Sequence, residues 1–392
     1  MNLFFSELGR TVAARWQARN FSPAAFPGIA QAALEERPPA RQIDLAALVR
    51  DFLLEDGQPA QSLSGFGQPE LVVYDDPRFY IQILCWLEGT TDIHQHMFSG
   101  AFHVLAGTSI HSQFVFENAE TVSAHLRVGA LRMTHTELLA TGRTVPIVAG
   151  REHIHALFHL DTPSLTVVVR THNDPGTGPQ FTYLPPHLAV DPTHHDALTL
   201  RRKQLLDVLE QTGDASYGPL LREMLGRLDF ERGFFILQNG IGCLRSRGEW
   251  AETWGGFRQK HGALADYVAP TLEEIVRRDG LAALRSSITE TEHRFFLALL
   301  LNVPGRAELL AMVAQRFPGE PVETVLRWAG ELVESSEAGT WLLDAEFPGE
   351  QPEVVLAALR HLLGAGTSTL SARKIKALRA VFAGSSFRAL LG

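Results

Sequence analysis

The hydrophobic pattern changes twice along this 392-residue chain and divides it into three parts. In the first part, residues 1–66, apolar positions recur at helical spacing, most clearly over residues 45–53. Asp44 precedes that run, and its carboxylate can accept hydrogen bonds from the first free backbone N–H groups of a helix. Gly57 and Pro59 favour an end to the helix. We therefore predict N-terminal helices packed on the next part.

From residue 67 to 190 the pattern changes to short stretches of β-branched and aromatic residues, which Gly and Pro separate. Strands at such short intervals are typical of a β-sandwich or barrel. The clearest predicted strands are Phe79–Trp86, Ala101–Leu105, Ile110–Glu117, Leu126–Thr134 and Leu165–Arg170.

A connector rich in Pro and His, residues 184–195, precedes a third part that is helical to the end of the chain. The sequence thus predicts an α+β fold: N-terminal helices, a β-sandwich or barrel, and a separate all-α domain over residues 196–392. Helices are predicted at 198–211, 217–228, 272–285, 290–301, 306–317, 321–333, 352–363 and 371–382. Within this domain, residues 290–345 resemble a winged helix, with a possible strand at 340–344.

Composition and charge narrow the possible functions. With 45% hydrophobic and 20% charged residues the chain is typical of a soluble globular protein. A net charge of −9 provides no basic field for nucleic acid or an anionic membrane. Two cysteines, Cys85 and Cys243, cannot build a disulfide framework, and no long uncharged apolar segment occurs. We expect a cytoplasmic protein without a membrane segment. Cys85 lies in an apolar stretch, and we interpret it as a core residue.

Two histidine pairs are the chemically informative feature. In a strand, side chains alternate between faces, so His94 and His96 point the same way and can share one metal ion. Imidazole suits iron, zinc, copper and nickel better than calcium or magnesium. Because His153 and His155 also share one face, the spacing leaves either of them open as a third ligand. Asp92, two residues before His94, is an alternative candidate to complete the set of metal ligands.

The segment 79–116 resembles the thiol dioxygenase, or cysteine dioxygenase-like, branch of the cupin superfamily. The resemblance extends over residues 70–185 and rests on Ile83-Leu-Cys-Trp86, on Ile93-His-x-His96 and on Ser99, with Gly107 closing the first motif. It implies a jelly-roll fold in which three neutral histidines hold Fe(II), and an activity that oxidises a thiol with dioxygen. His94, His96 and His155 are the implied ligands, since His159 then takes the place of the family's Asn.

The chain departs from that family around the substrate. Gly100 stands where many cupins have a Glu ligand and where some relatives have a crosslinked cysteine, so a three-histidine site without that crosslink is implied. The family's substrate arginine is absent before Phe79, and its Ser-His-Tyr group is replaced around residues 166–170. If Thr166 and Arg170 face inward, Arg170 can clamp a substrate carboxylate beside Thr166.

Neighbouring side chains complete the predicted site. Gln113 is a candidate substrate contact, and His111, His153 and His159 are candidates for supporting groups or alternative ligands. The leading hypothesis is a non-haem iron(II) oxygenase that uses dioxygen on a small thiol or amino-acid-like carboxylate. One alternative is another cupin iron oxygenase, a hydroxylase or an oxidative-cleavage enzyme; the other is a metabolite sensor without catalysis. In either case the helical domain could mediate a homodimer or a protein partner.

Overall fold

Three helices open the computed structural model, which describes residues 3–61, 66–87, 89, 92–194, 196–240, 247–335, 343 and 345–391. They are α1 (Leu3–Gln17), α2 (Phe26–Glu36) and α3 (Leu45–Leu54). Asp44 caps α3 as predicted, because its carboxylate accepts a hydrogen bond of 3.1 Å from the backbone N–H of Ala47.

Eleven strands follow in the described residues. All five predicted strands are present, and four of them extend beyond the predicted ends. The strands are β1 (Glu70–Asp75), β2 (Phe79–Trp86), β3 (Ile93–His96), β4 (Gly100–Ala106), β5 (Ser109–Thr121), β6 (Leu126–Leu139), β7 (Thr144–Ile147), β8 (Gly150–His159), β9 (Ser164–Thr171), β10 (Thr182–Leu184) and β11 (Leu188–Val190).

The strands form two antiparallel sheets that enclose the candidate site. The first sheet has the order β1-β2-β9-β4-β7. The second has the order β10-β11-β6-β5-β8-β3 and closes on itself, since β3 pairs with β10. Strand β11 lies inside the stretch 184–195 that was predicted to be a connector. That prediction was wrong there because a three-residue strand shows no alternation of its own and exists through pairing with β6.

After β11, the described residues form helices that are joined by short turns. The eight predicted helices are present with ends shifted by up to four residues, whereas α6 and α7, which contain glycines, were not predicted. The predicted strand at 340–344 lies outside the described residues except Leu343, which is helical. The helices are α4 (Ala197–Gln211), α5 (Tyr217–Arg227), α6 (Phe230–Gly240), α7 (Arg247–His261), α8 (Val268–Ser287), α9 (Thr291–Asn302), α10 (Arg306–Arg316), α11 (Pro321–Ser335), α12 (Pro352–Leu362) and α13 (Ala372–Gly384).

Both helical parts pack directly on the barrel. The outward side chains of β2, β4 and β9 form one core with α1 and α2, and half-buried Cys85 packs at its edge. Ile110 and Phe158 join the core of the later helices, and Leu126 and Leu188 join a second core with α5 to α8. No helix in the described ranges is both long enough and apolar enough to cross a bilayer.

Candidate metal centre

The candidate site lies between the sheets, and strand alternation decides which side chains reach it. On β2 the even-numbered residues Gln82, Leu84 and Trp86 line a cavity, while their odd-numbered neighbours pack against the N-terminal helices. On β9, which pairs with β2, Thr166 and Arg170 line the same cavity. The inward orientation on which the predicted role of Arg170 depends is therefore present.

Three histidines meet on the opposite side of this cavity. His94 and His155 are directly paired across β3 and β8, and the pairing is irregular between His94 and His96. One ring nitrogen from each of His94, His96 and His155 lies within 4.8 Å of the other two. The Nε2 atoms of His96 and His155 are 2.9 Å apart. Two metal bonds of about 2.1 Å at a right angle separate their donors by about 3.0 Å, so this pair fits two ligands of one ion.

All three rings are buried. Burial lowers the pKa of His94 and lowers the pKa values of His96 and His155 well below the ordinary value, with neighbouring rings adding to the effect on the latter two. The rings are therefore neutral at physiological pH, the form that binds metals. Nε2 of His94 is buried and has no hydrogen-bond partner among the described residues. Neutral imidazole nitrogens in one cluster suit a transition metal such as iron.

Further hydrogen bonds orient the rings. Nδ1 of His94 lies 3.1 Å from the backbone oxygen of Asp92, so Nε2 is the nitrogen of His94 that stays available to a metal. Nδ1 of His155 lies 3.2 Å from Nε2 of His111, and Nδ1 of His111 lies 3.3 Å from a carboxylate oxygen of Glu137. Such contacts fix the orientation of metal-binding histidines.

The cavity itself is small, with a volume of about 60 Å³. Among the candidates, His111, Gln113 and His153 do not line it, although Gln113 is paired with His155 across β5 and β8. That pairing is regular, so Gln113 shares the face of His155 without lining the cavity. The lining residues are Phe66, Gln82, Leu84, Trp86, Asp92, His94, His96, Phe98, Phe102, Ile147, His155, Leu157, His159, Thr166, Val168 and Arg170.

Gly100 leaves no room for a fourth protein ligand at its position. A Cβ atom added there would lie 2.1 Å from the backbone oxygen of Val169 and 3.0 Å from the Cα atom of Arg170. The first distance is far below van der Waals contact, and backbone atoms cannot rotate away as a side chain can. A carboxylate ligand at this position is therefore sterically excluded.

Arg170 is held firmly and keeps part of its guanidinium available. Its Nε donates to the backbone oxygen of Thr171 at 3.2 Å, and its Nη2 donates to that of His172 at 3.0 Å. The ring centre of Phe98 lies 3.4 Å from the guanidinium carbon. Burial lowers the pKa of Arg170 to about 10, so it stays charged at neutral pH. Within the described part of the chain, Nη1 and the second hydrogen of Nη2 form no hydrogen bond, so this edge remains for a ligand.

Trp86, Thr166 and His159 of the cavity wall are linked by polar and ring contacts. Trp86 donates from Nε1 to the hydroxyl of Thr166 at 3.3 Å, and its ring stacks on His159. Nδ1 of His159 lies 3.0 Å from the hydroxyl of Ser109, and burial lowers the pKa of His159 to about 4. His159 therefore supports the wall of the cavity at a distance from the three-histidine cluster.

Gln82 and Phe98 line the cavity but were not among the site residues predicted from the sequence. Gln82 carries an amide at a buried, inward position of β2, and Phe98 stacks on Arg170. The signal for Gln82 was available, since it is the one polar residue in the apolar run from Ile81 to Trp86. Phe98 lies between two strands, where alternation gives no direction for its side chain.

No protein-family model and no curated protein matches this chain. Part of it resembles solved structures at low identity. A hydroquinone 1,2-dioxygenase from a Sphingomonas species, bound to 4-hydroxybenzoate, is 11% identical over 28% of this chain and 68% of its own, with a TM-score of 0.22. A DMSP lyase from Ruegeria pomeroyi is 17% identical over 44% of this chain and 94% of its own, with a TM-score of 0.22.

A cupin-2 domain protein from Shewanella frigidimarina is 13% identical over 34% of this chain and 96% of its own, with a TM-score of 0.20. At these values the matches carry no argument about activity, and the resemblance to thiol dioxygenases stays a prediction. The strands and helices themselves define the fold as α+β. It has N-terminal helices, a β-sandwich that includes a closed sheet, and a helical C-terminal half.

Proposed function

We propose that this chain is a non-haem iron(II) oxygenase whose metal is held by His94, His96 and His155. The observation that carries the proposal is the convergence of three buried, neutral imidazoles on a cavity that also contains Arg170. Iron bound there would supply the redox chemistry for which oxygenases need a cofactor, because amino-acid side chains cannot activate dioxygen. The chain would supply the ligands, the substrate contacts and the exclusion of water.

The charge of the site indicates an anionic substrate. Three neutral ligands would leave the two positive charges of a ferrous ion uncompensated, and Gly100 excludes a carboxylate on β4. The carboxylate that does line the cavity, Asp92, is exposed to solvent and belongs to none of the ligand groups. Arg170 adds a further positive charge in the same cavity. Unpaired charges are costly in a medium of low dielectric constant, so a thiolate or carboxylate of the substrate would offset them.

The cavity also limits the size and orientation of the substrate. Its volume of about 60 Å³ is well below the several hundred cubic ångströms of typical ligand pockets. Arg170 would bind a carboxylate through its open edge, with Thr166 and Gln82 as neutral hydrogen-bonding groups nearby. The apolar walls at Leu84 and Val168 would exclude water around the reacting atoms. A small thiol or an amino-acid-like carboxylate fits these requirements.

Oxygen uptake by the iron-loaded chain tests this proposal. The protein is loaded anaerobically with Fe(II) and then given dioxygen with a panel of small thiols and amino-acid-like carboxylates. We expect uptake that depends on both iron and one class of substrate, with ¹⁸O from dioxygen in the product. Zinc-loaded protein is the control. Failure to bind iron, or iron without uptake across the panel, would contradict the proposal; the latter result would favour a metabolite-binding barrel without catalysis.

A further inference from the structure

A second group of three histidines lies on the other side of the His155 ring. One ring nitrogen from each of His111, His153 and His155 lies within 4.8 Å of the other two. His155 is the common member: its Nε2 faces His96, whereas its Nδ1 faces His111. The two nitrogens of one imidazole therefore face two different donor clusters.

The spacing in this second cluster fits an ion. Nδ1 of His155 and Nε2 of His111 are 3.2 Å apart. Two ligands of one tetrahedral ion, with bonds of about 2.0–2.1 Å, are separated by about 3.3–3.4 Å. His111 also has the usual support of a metal ligand, since its second nitrogen contacts the carboxylate of Glu137.

The third member distinguishes an ion from a simple hydrogen bond. A hydrogen bond between His111 and His155 would explain the 3.2 Å contact on its own. It would leave Nε2 of His153, which is buried without a partner, unexplained. An unpaired buried nitrogen costs free energy, whereas an ion in this cluster would engage all three residues.

We infer that His111, His153 and His155 form a second metal site, which shares His155 with the site of the proposed function. When both sites are filled, His155 is an imidazolate that binds one ion through Nε2 and the other through Nδ1. Its remaining ring proton is released to solvent, as ligand protons are when metals bind. Three imidazole nitrogen donors suit Zn(II) or Cu(II).

Zinc stoichiometry of the full chain tests the inference. Metal-free protein is titrated with Zn(II), and bound zinc is measured after removal of free metal. We expect two zinc ions per chain for the unaltered protein, and one each for His111→Gln, His153→Gln and His94→Gln. His361→Gln is the matched control, because His361 is exposed on α12, and it should keep two. Circular dichroism of each metal-free variant verifies that it is folded.

The same variants separate this inference from the proposed function. One zinc per chain that is unaffected by His111→Gln and His153→Gln would overturn the second site. One zinc that is kept by His94→Gln and lost in His153→Gln would support the second site and count against the proposed iron site.

A second measurement tests the shared ligand directly. Two Cu(II) ions bridged by an imidazolate couple magnetically, so the protein loaded with two copper ions should show a strongly reduced electron paramagnetic resonance signal. His153→Gln, loaded with one ion, should show the full signal of one isolated copper. Two independent signals of full intensity in the unaltered protein would overturn the bridging role of His155.

Discussion

The two walls of the cavity differ in chemistry. The second sheet contributes His94, His96 and His155, which are fixed by strand pairing and by contacts with Asp92 and His111. The first sheet contributes an apolar surface with few polar groups. If the proposed function holds, the histidine wall of the second sheet determines metal binding, and the wall of the first sheet determines the substrate. Substitutions in the two walls should therefore have separable effects.

The largest effect is expected from the wall of histidines. His155→Ala removes one ligand of the proposed site, so iron affinity should fall by more than the ~10–100-fold typical of residues that only support a ligand. Oxygen uptake should be lost with it. Iron content after gel filtration measures the change, and His361→Ala is the control. Unchanged iron content would show that His155 is not a ligand.

A smaller and different effect is expected from the substrate wall. Arg170→Met removes a charge-assisted contact worth about 1.5–3 kcal/mol, so KM for an anionic substrate should rise roughly 10- to 100-fold. Iron content should not change. Arg132→Met is the control, since Arg132 is an exposed residue paired with Glu117. A KM equal to that of the unaltered protein would make Arg170 purely structural.

Gly100 lies on β4 directly opposite Arg170 of β9, and its replacement should affect stability. Gly100→Ala places a Cβ atom against the backbone of Val169, which should lower the free energy of unfolding by about 1–3 kcal/mol. Gly226→Ala is the matched control, because a Cβ there meets nothing within 4 Å and alanine favours the helix. Chemical denaturation measures both. Equal stability of the two variants would contradict the steric exclusion of a carboxylate at position 100.

The smallest effect concerns pH. The pKa of His159 is about 4 in the folded chain and near 6.5 when unfolded, so the unfolded state gains protons first. Its contribution to the stability of the metal-free protein is present above about pH 6.5 and is lost as the pH falls toward 4. His159→Phe should reduce this loss by about 1–2 kcal/mol in denaturation measured at several pH values. An unaltered pH dependence would mean that the ring is not desolvated.

The sequence predicted the parts of the site that depend on local alternation. His94 and His96 share a face, and so do Thr166 and Arg170, because a strand has a period of two. The same period could not choose between His153 and His155, which the fold places in one shared cluster. Gln113 shares the face of His155 through the pairing of β5 with β8, yet it does not line the cavity, so its role as a substrate contact stays a prediction. Long-range pairing determines such details, and alternation along one strand does not reveal them.

The coordination of iron tests the account most directly. X-ray absorption spectroscopy on protein loaded anaerobically with one equivalent of Fe(II) counts the imidazoles around the metal. We predict three for the unaltered chain, three for His153→Gln and fewer for His94→Gln. Fewer imidazoles in His153→Gln with no change in His94→Gln, or the absence of tightly bound iron, would contradict a site formed by His94, His96 and His155.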